Sequence, residues 1–261
     1  MAPVLTLTME MMVNLKHFLL GAGALILQPS DAATSQSVAT APAAQASIEV
    51  RKVRKLHYAW ANIPLSYQLS IRVPKPFSTA NLSASIQCQG IAMTGGYTLQ
   101  TRNAPAGLIV VGGKVVGKDN NRQDGGFLEV RGASVALRRA KGPRPAPANG
   151  VDQIHSQPIL IYDGVIDGHF KGGRANRIAI GQYADASLFM VMALNADRNG
   201  MSAATLGQFA QDVLDGAPKK VTWLLNFDGG PSAFLYGRNG GTVAPTAGMI
   251  TSYLCAEPRN G

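Results

Sequence analysis

The sequence predicts an α+β domain, in which a mixed, mainly antiparallel sheet packs against a few helices. Only 15% of the 261 residues are charged, against about 25% in an average globular domain. This low fraction argues against a disordered chain or a coiled coil. The 29 glycines follow no fixed period, which indicates many turns between short strands. A clear helical spacing of apolar residues occurs in one segment. We expect a single domain over residues 48–261.

The segment before this domain has the layout of a secretory signal peptide. A positive charge precedes the short apolar run Phe18–Leu27, and small residues follow it. This order of charge, apolar core and small residues is typical of a cleaved signal. Residues 1–32 are therefore assigned to the signal, with cleavage near Ala32 and Ala46 as a second candidate site, and residues 33–47 to a flexible leader. An uncleaved anchor is the alternative, although a membrane span needs about 20 apolar residues. We expect an exported protein, periplasmic or secreted, with no membrane span after cleavage.

The chain has two cysteines, Cys88 and Cys255, which lie far apart in the sequence. Export would place them in an oxidising compartment. Two cysteines in an oxidising compartment often pair, and such a bond would tie an early strand to the last one. Two separate buried thiols are the alternative. The chain has no C-x-x-C motif, and its four histidines show no metal-ligand spacing. The sequence therefore predicts no metal site.

Short apolar stretches separated by turn residues predict eight strands after the leader. Glycine pairs and Asp-Gly steps mark the turns between them. Residues 141–150 hold too much proline and glycine for regular structure and are predicted to form a loop inside the domain or a soft boundary between two lobes. In chain order the predicted strands are Ser66–Val73, Ser85–Met93, Leu108–Val111, Phe127–Val130, Ser134–Leu137, Ile159–Tyr162, Leu188–Leu194 and Val221–Phe227.

The clearest helix is predicted over residues 202–215. Ser202 is placed to cap its start, and Gly216 ends it. The buried strand Val221–Phe227 follows, and a glycine-rich turn begins at Asp228. Loops positioned by a rigid scaffold often carry functional groups. The five apolar residues that fall on one face of the helix are Leu206, Phe209, Ala210, Val213 and Leu214.

The turn Asn226–Ser232, with the sequence NFDGGPS, carries the most chemistry. Asp228 follows an apolar strand, where partial desolvation can tune a carboxylate for proton transfer. Gly229 and Gly230 permit a positive φ and a close approach of backbone to ligand. Ser232 and the neighbouring amides could hold an oxygen atom. A tight turn without chemistry is the alternative.

This turn and four other segments resemble motifs of the phosphodiester glycosidase family, in the family's order. The turn resembles the family signature Asn-Leu-Asp-Gly-Gly-Gly-Ser. Each short segment is weak by itself, but five in the correct order are fairly specific. The resemblance covers roughly residues 85–255. The other four segments are Thr94–Thr98, Pro105–Leu108, Gln157–Gly164 and Arg177–Gly181.

The resemblance implies an exported hydrolase that cleaves a glycosyl phosphodiester in a phosphorylated glycan. Arg177 would bind the phosphate, because a guanidinium can fork onto two phosphate oxygens. A surface salt bridge is the alternative for this residue. Asp228 would act as the general acid/base or stabilise an oxocarbenium-like centre. The predicted substrate-binding residues have small or polar side chains: Asn226, Gly229, Gly230, Ser232, Thr94, Gly95 and Gly96.

The sequence departs from the family's motifs at three positions. Thr94 replaces the usual Asn, and Thr98 replaces the second aromatic residue. Pro231 replaces the third Gly, which removes one backbone N–H. A non-catalytic module of the same fold that binds anionic glycans is therefore the alternative function. His155 is a further candidate proton donor, although a structural histidine is favoured there.

The net charge of +9 favours an acidic partner. Lys and Arg are spread thinly and lack interleaved aromatic residues, so no nucleic-acid partner is predicted. For an exported protein, an anionic glycan is the expected partner. The sequence specifies neither a cofactor nor an oligomeric state.

Overall fold

A computed structural model of the chain shows a mostly β domain, so the α+β prediction is wrong. Strands take up 53% of the described residues and helical turns 8%. Within the described ranges there is one α-helix, and each strand pair is antiparallel. Short turns join many neighbouring strands, and such turns suit antiparallel but not parallel pairs. The residues described are 45–74, 86–99, 104–117, 125–141, 149–168, 170, 172–194, 204–238, 241–243 and 249–259.

The strands are numbered in chain order. They are β1 Ile48–Val53, β2 Leu56–Ile63, β3 Tyr67–Arg72, β4 Ile91–Thr94, β5 Thr98–Leu99, β6 Ala104–Pro105, β7 Ile109–Val111, β8 Lys114–Gly117, β9 Gly126–Arg131, β10 Ser134–Arg139, β11 Asp152–Ser156, β12 Ile159–Tyr162, β13 Val165–Ile166, β14 Ile178–Tyr183, β15 Leu188–Ala193, β16 Val221–Asn226, β17 Leu235–Gly237, β18 Gly241–Val243 and β19 Tyr253–Pro258. The helix α1 is Leu206–Gly216, and a 3-10 turn spans Gly230–Ser232.

Three sheets share these strands. The first has seven strands in the order β1-β2-β15-β14-β16-β12-β13. The second has five in the order β10-β9-β11-β7-β8, and the third has five in the order β18-β17-β4-β19-β3. A short pair, β5–β6, stands apart from them. In the first sheet Asn226 at the end of β16 lies opposite Ala179 at the start of β14. This register places the turn after β16 beside the segment that precedes β14.

One apolar core joins the three sheets. It contains Met190 of the first sheet, Ile154 of the second and Leu254 of the third, each fully buried. The helix covers the other face of the first sheet, where Phe209 packs into a second buried cluster with Tyr58. The described residues belong to one compact unit. No helix among them is long and apolar enough to cross a membrane.

The helix begins later than predicted. It starts at Leu206 and is capped by Thr205, whose side chain accepts a hydrogen bond from the amide of Gln208 at 3.2 Å. Ser202, the predicted cap, lies outside the described residues. The five predicted apolar residues do share the face that packs on the first sheet, which confirms the helical spacing.

Seven of the eight predicted strands match observed strands to within two residues. The exception is Ser85–Met93: Ser85 lies outside the described residues, and of Ile86–Met93 only the part from Ile91 onward is strand. A Cβ on Gly90 would lie 2.1 Å from the carbonyl oxygen of Ala256, so this glycine lets the chain pass close to β19 just before β4 begins. Residues 142–148 of the predicted loop 141–150 lie outside the described residues.

Cys88 and Cys255 form a disulfide, with their Cα atoms 5.8 Å apart. Of the two alternatives that the sequence leaves open, the structure shows the bonded pair. The bond joins the segment before β4 to β19 across 167 residues of sequence. It therefore links the segment before β4 covalently to β19, the strand of the third sheet that follows residues 249–252.

Candidate active site

The turn after β16 lies against the backbone that precedes β14. The amide of Gly230 donates to the carbonyl oxygen of Asn176 at 2.8 Å. A Cβ on Gly229 would lie 2.3 Å from the same oxygen, so a residue without a side chain is required for this approach. Gly230 has a φ of +57°, in the left-handed region that glycine adopts readily. These contacts place Arg177 and Asp228 on adjacent segments.

Asp228 is held by a second set of contacts. Its amide donates to the carbonyl oxygen of Gly95 at 3.2 Å. Burial raises the pKa of Asp228 to about 6, and the nearby Ser232 hydroxyl and the hydroxyl and amide of Thr98 partly oppose this rise because they favour the ionised form. A carboxyl group with this pKa can exchange a proton near neutral pH.

Arg177 is a half-buried cation. Its Nε donates to the carbonyl oxygen of Ala204 at 3.2 Å and its Nη2 to that of Gly173 at 2.6 Å. Burial lowers the pKa of Arg177, and an interaction with Tyr97 partly opposes this. No carboxylate of the described residues forms an ion pair with it. Two backbone oxygens thus orient the guanidinium without neutralising its charge, which leaves it suited to an anion.

Asn226 lies beneath the turn and is 1% exposed. Its Nδ2 donates to the Tyr97 hydroxyl at 2.6 Å and to the carbonyl oxygen of Gln157 at 2.9 Å. The Tyr97 hydroxyl donates in turn to the Gln157 oxygen at 2.8 Å. A carbonyl oxygen can only accept hydrogen bonds, so the Asn226 side chain must turn its Nδ2, and not its Oδ1, toward the Gln157 oxygen. Asn226 therefore fixes the position of Tyr97, which remains partly exposed.

Hydrogen bonds and close packing hold the segment Thr94–Gly96 against Ser232 and Ser252. The Thr94 hydroxyl donates to the carbonyl oxygen of Ser232 at 2.6 Å. The amide of Gly96 donates to the Ser252 hydroxyl at 2.9 Å. A Cβ on Gly95 would lie 2.4 Å from the same hydroxyl oxygen. Close packing against Ser252 thus explains why glycine is needed here.

The structure brings all nine predicted site residues into one cluster, in two layers. Partly exposed members form the outer layer, and buried members support them. The outer layer contains Arg177, Asp228, Gly229 and Gly230, and the buried layer contains Thr94, Gly95, Gly96, Asn226 and Ser232.

Sequence reasoning missed the contribution of Thr98, Thr251 and Ser252. Thr251 and Ser252 are fully buried polar residues just before β19. No motif or spacing marks them, since each is a single small hydroxyl residue more than 150 positions away from its partner in the Thr94–Thr98 segment. Thr98 could have been found, because it stands where the family's motif has an aromatic residue.

Comparison with protein families identifies the family of the chain. A family model described as phosphodiester glycosidase matches residues 88–250, which include most of the residues named above. The chain belongs to the phosphodiester glycosidase family. A search of curated proteins gives no significant match.

Three solved structures share the fold of this phosphodiester glycosidase family member. The catalytic domain of zebrafish N-acetylglucosamine-1-phosphodiester α-N-acetylglucosaminidase, auto-inhibited by its pro-peptide, is 16% identical with a TM-score of 0.64, and the match covers 85% of each chain. A hypothetical protein from Synechocystis is 14% identical with a TM-score of 0.59, covering 81% of this chain and 61% of its own. A protein from Burkholderia pseudomallei, described as exported, is 12% identical with a TM-score of 0.58, covering 78% and 74%.

Pro231, a departure from the family's motif, and His155, the further candidate proton donor, each have a structural explanation. Pro231 is exposed at the start of the 3-10 turn, where an N–H would have no helical partner, so proline fits there. His155 is 4% exposed, and its ring centroid lies 5.1 Å from that of Phe127. A Cβ on Gly107 would lie 3.2 Å from the His155 Nδ1. This packing within the second sheet favours a structural role for His155.

Proposed function

We propose that the protein is an exported hydrolase that separates a sugar from a phosphate monoester by cleaving a glycosyl phosphodiester. One observation carries the proposal: Arg177, a half-buried cation, lies on the segment next to Asp228, whose pKa is raised to about 6. A phosphodiester keeps its negative charge at neutral pH and needs a fixed cation. Cleavage at the sugar carbon needs a group that can move a proton.

The two side chains divide the reaction between them. The Arg177 guanidinium donates hydrogen bonds to the non-bridging phosphate oxygens. The Asp228 carboxylate accepts a proton from the attacking water as the oxygen of that water bonds to the anomeric carbon. The bond between this carbon and the bridging oxygen breaks, and its electron pair leaves with the phosphate. A phosphate monoester has a second pKa of about 6, so it can depart as an anion.

The buried layer supports these groups from below. Asn226 holds Tyr97, Thr94 holds the backbone of Ser232, and the Ser232 hydroxyl, which lies near Asp228, donates to the carbonyl oxygen of Met249. Because these three side chains are nearly inaccessible to solvent, we assign them to positioning rather than to direct contact with substrate. Such support fixes catalytic groups in the productive geometry.

Four observations support export and a glycan substrate. The Cys88–Cys255 disulfide would persist in an oxidising compartment. The N-terminal sequence has the signal pattern, and the Burkholderia protein of the same fold is described as exported. The zebrafish enzyme acts on an N-acetylglucosamine 1-phosphodiester, as its name states. We therefore assign the substrate to the sugar 1-phosphodiesters of envelope or extracellular glycans.

A panel of glycosyl phosphodiesters tests this function, with N-acetylglucosaminyl diesters as its first members. Release of sugar and phosphate monoester is followed by chromatography for the wild type, Asp228→Asn and the matched control Asp163→Asn. Asp163 is an exposed turn residue with a φ of +52°, a conformation that Asn tolerates. We expect turnover by the wild type and the control, and a loss of about 100-fold or more in Asp228→Asn. Binding of these diesters by the wild type without turnover would instead establish a binding module.

A further inference from the structure

The Arg177 guanidinium is anchored to the residues that lead into helix α1. Its Nε donates to the carbonyl oxygen of Ala204 at 3.2 Å. The same oxygen accepts from the amide of Ala175 at 3.0 Å, and the Ala204 amide donates back to the Ala175 oxygen at 3.3 Å. Ala204 is fully buried, and Thr205 caps the helix directly after it. A carbonyl oxygen has two lone pairs, and both are used here, so movement of this end of the helix would displace the guanidinium.

A polar contact buried in an apolar interface holds the middle of the helix. Asp212 is fully buried, and its Oδ2 accepts from the hydroxyl of Tyr58 on β2 at 2.5 Å. Its Oδ1 lies 3.5 Å from the Nε of Arg54, which also pairs with Asp215 on the same helix. Tyr58 itself belongs to the apolar cluster between the helix and the first sheet. Apolar side chains can pack in more than one register, whereas a buried hydrogen-bonded pair is satisfied in one.

The backbone of the first sheet joins these two attachment points. Tyr58 lies opposite Ala193 of β15, and the Ala193 amide donates to the carbonyl oxygen of Arg177 at 2.8 Å. Two strand spacings, about 10 Å in all, therefore separate Tyr58 from Arg177. The helix covers a similar length of about 10 Å between Thr205 and Asp212. Helix and sheet thus form a closed loop that is fastened at Asp212 and at the residues before the helix.

We propose that Asp212 and Tyr58 are positioning residues for the phosphate site, because their hydrogen bond sets where helix α1 lies on the first sheet and thereby where the Arg177 guanidinium is held. The proposal rests on the proposed function, in which Arg177 binds the phosphate. Both side chains are buried, so they act through the helix and not by contact with substrate. The helix transmits the position because its backbone hydrogen bonds make it a rigid element.

Stability alone gives little reason for a carboxylate at position 212. Removing a carboxylate from water costs free energy, and an apolar side chain of similar volume is often as stable or more stable in such a place. The other buried residues of this helix, among them Phe209 and Val213, are apolar and supply the packing. A buried polar pair can instead specify a single arrangement of two packed elements. This is the role that the loop through Arg177 gives to Asp212.

The central test removes both polar groups at once. The double variant Tyr58→Phe, Asp212→Leu leaves neither partner of the hydrogen bond buried alone and keeps the interface apolar, so it should fold. Tyr58→Phe alone is the second variant should the double variant fail to fold. Asp212→Asn is the conservative variant, because its Oδ1 can still accept from the Tyr58 hydroxyl.

Val213→Ala is the matched control. Val213 is a fully buried apolar residue of the same helix, so its truncation weakens packing without removing the polar contact. Circular dichroism and urea unfolding check that each variant is folded under the conditions of the binding measurement.

Calorimetric titration with N-acetylglucosamine 1-phosphate measures the affinity for an anion. We expect the double variant to bind this probe about threefold to tenfold more weakly, with Asp212→Asn and Val213→Ala close to the wild type. In an Arg177→Ala background the double variant should cause no further loss, because the group that the helix positions is then missing. An equal loss in both backgrounds would show a general loosening of the domain and would overturn the proposal.

A second readout does not depend on the proposed function. The Nε–H group of Arg177 gives an NMR signal, assigned by its absence in Arg177→Ala, that reports the hydrogen bond to Ala204. We expect its chemical shift and its exchange with water to change in the double variant and to stay the same in Asp212→Asn and Val213→Ala. An unchanged signal in the double variant would overturn the proposal. A wild type that does not bind the probe would defeat the role of Arg177 in the proposed function, and the signal would still decide whether Asp212 and Tyr58 position its side chain.

Discussion

The amide nitrogen of Gly230 donates to the carbonyl oxygen of Asn176 at 2.8 Å. This contact joins the turn after β16 to the segment before β14, two stretches that are 54 residues apart. Each of them carries one of the two groups to which we assign the chemistry, Asp228 on the turn and Arg177 on the segment. The spacing between anion-binding and proton-transfer groups therefore depends on backbone packing at this point.

Alanine at the two turn glycines should separate packing from backbone strain. In Gly229→Ala the new Cβ would lie 2.3 Å from the Asn176 oxygen, so one segment must move. We expect a loss of stability of about 1–3 kcal/mol and a fall of at least about tenfold in kcat/KM. In Gly230→Ala, no atom of the described residues lies within 4 Å of the Cβ. The φ of +57° should then cost about 1–2 kcal/mol, with activity retained.

Urea unfolding and kcat/KM on the same preparations measure both effects. Greater loss of activity in Gly230→Ala than in Gly229→Ala would contradict the packing argument.

Asp228→Asn should stabilise the protein at neutral pH. The pKa of Asp228 is about 6 in the folded state, above the value of about 3.9 for an unfolded chain. Ionisation of Asp228 therefore disfavours folding, and the stability that its neutral form provides is lost as the pH rises from 4 through 6. The gain in Asp228→Asn should be about 1–2 kcal/mol at pH 8, because Asn cannot accept from every donor that faces the carboxylate.

The measurement is the difference in the free energy of unfolding between Asp228→Asn and the wild type at pH 4 and pH 8. We expect the advantage of the variant to shrink or vanish at pH 4, where the wild-type carboxyl group is also neutral. Asp163→Asn serves as the control and should show little change at either pH. An advantage of equal size at both pH values would contradict the assignment.

Arg177→Ala should weaken the binding of an anion and leave the fold intact. The side chain contacts two backbone oxygens, so its loss removes hydrogen bonds but breaks no ion pair with a described residue. Calorimetric titration with a glycosyl phosphate should show a loss of affinity of about tenfold to 100-fold. Arg177→Lys should recover part of it, because Lys keeps the charge without the fork. Unchanged affinity in Arg177→Ala would remove this residue from the site.

The double variant Cys88→Ser, Cys255→Ser should be less stable than the oxidised wild type by about 3–5 kcal/mol. The bond closes a loop with a sequence separation of 167 residues, and long loops lose the most entropy on closure in the unfolded chain. Chemical denaturation with and without a reductant gives the comparison. The reductant should lower the stability of the wild type to that of the variant and leave the variant unchanged. A variant as stable as the oxidised wild type would contradict this.

Local pattern predicted the turn at Asp228 and several central strands, among them β9, β15 and β16, but it missed the central strands β2, β11, β14, β17 and β19. A buried strand such as Val221–Asn226 has a continuous apolar run, and a glycine pair after it marks a sharp turn. The edge strand β1 was also missed, because Lys52 follows Arg51 and breaks the alternation of apolar and polar residues; charged residues are common on edge strands. A few helices were expected where the described residues show one, since the remaining segments proved to be strands and turns.

The supporting contacts of the site could not be predicted because they are long-range. Thr94 and Ser232 are 138 residues apart, and Gly96 and Ser252 are 156 residues apart. Nothing in either segment indicates its partner, and the pairing follows from sheet order. The family resemblance supplied the positions of Arg177 and Asp228, but not the layer that holds them.

Hydrolysis in ¹⁸O-enriched water tests the central claim most directly, because it reports which bond breaks. If the wild type cleaves the bond between the anomeric carbon and the bridging oxygen, the solvent oxygen enters the sugar. The phosphate monoester then keeps only the oxygens of the substrate. Mass spectrometry of that monoester, with Asp228→Asn as the background reaction, should therefore show no ¹⁸O. One ¹⁸O atom in the phosphate would show cleavage at phosphorus and would contradict a glycosidase.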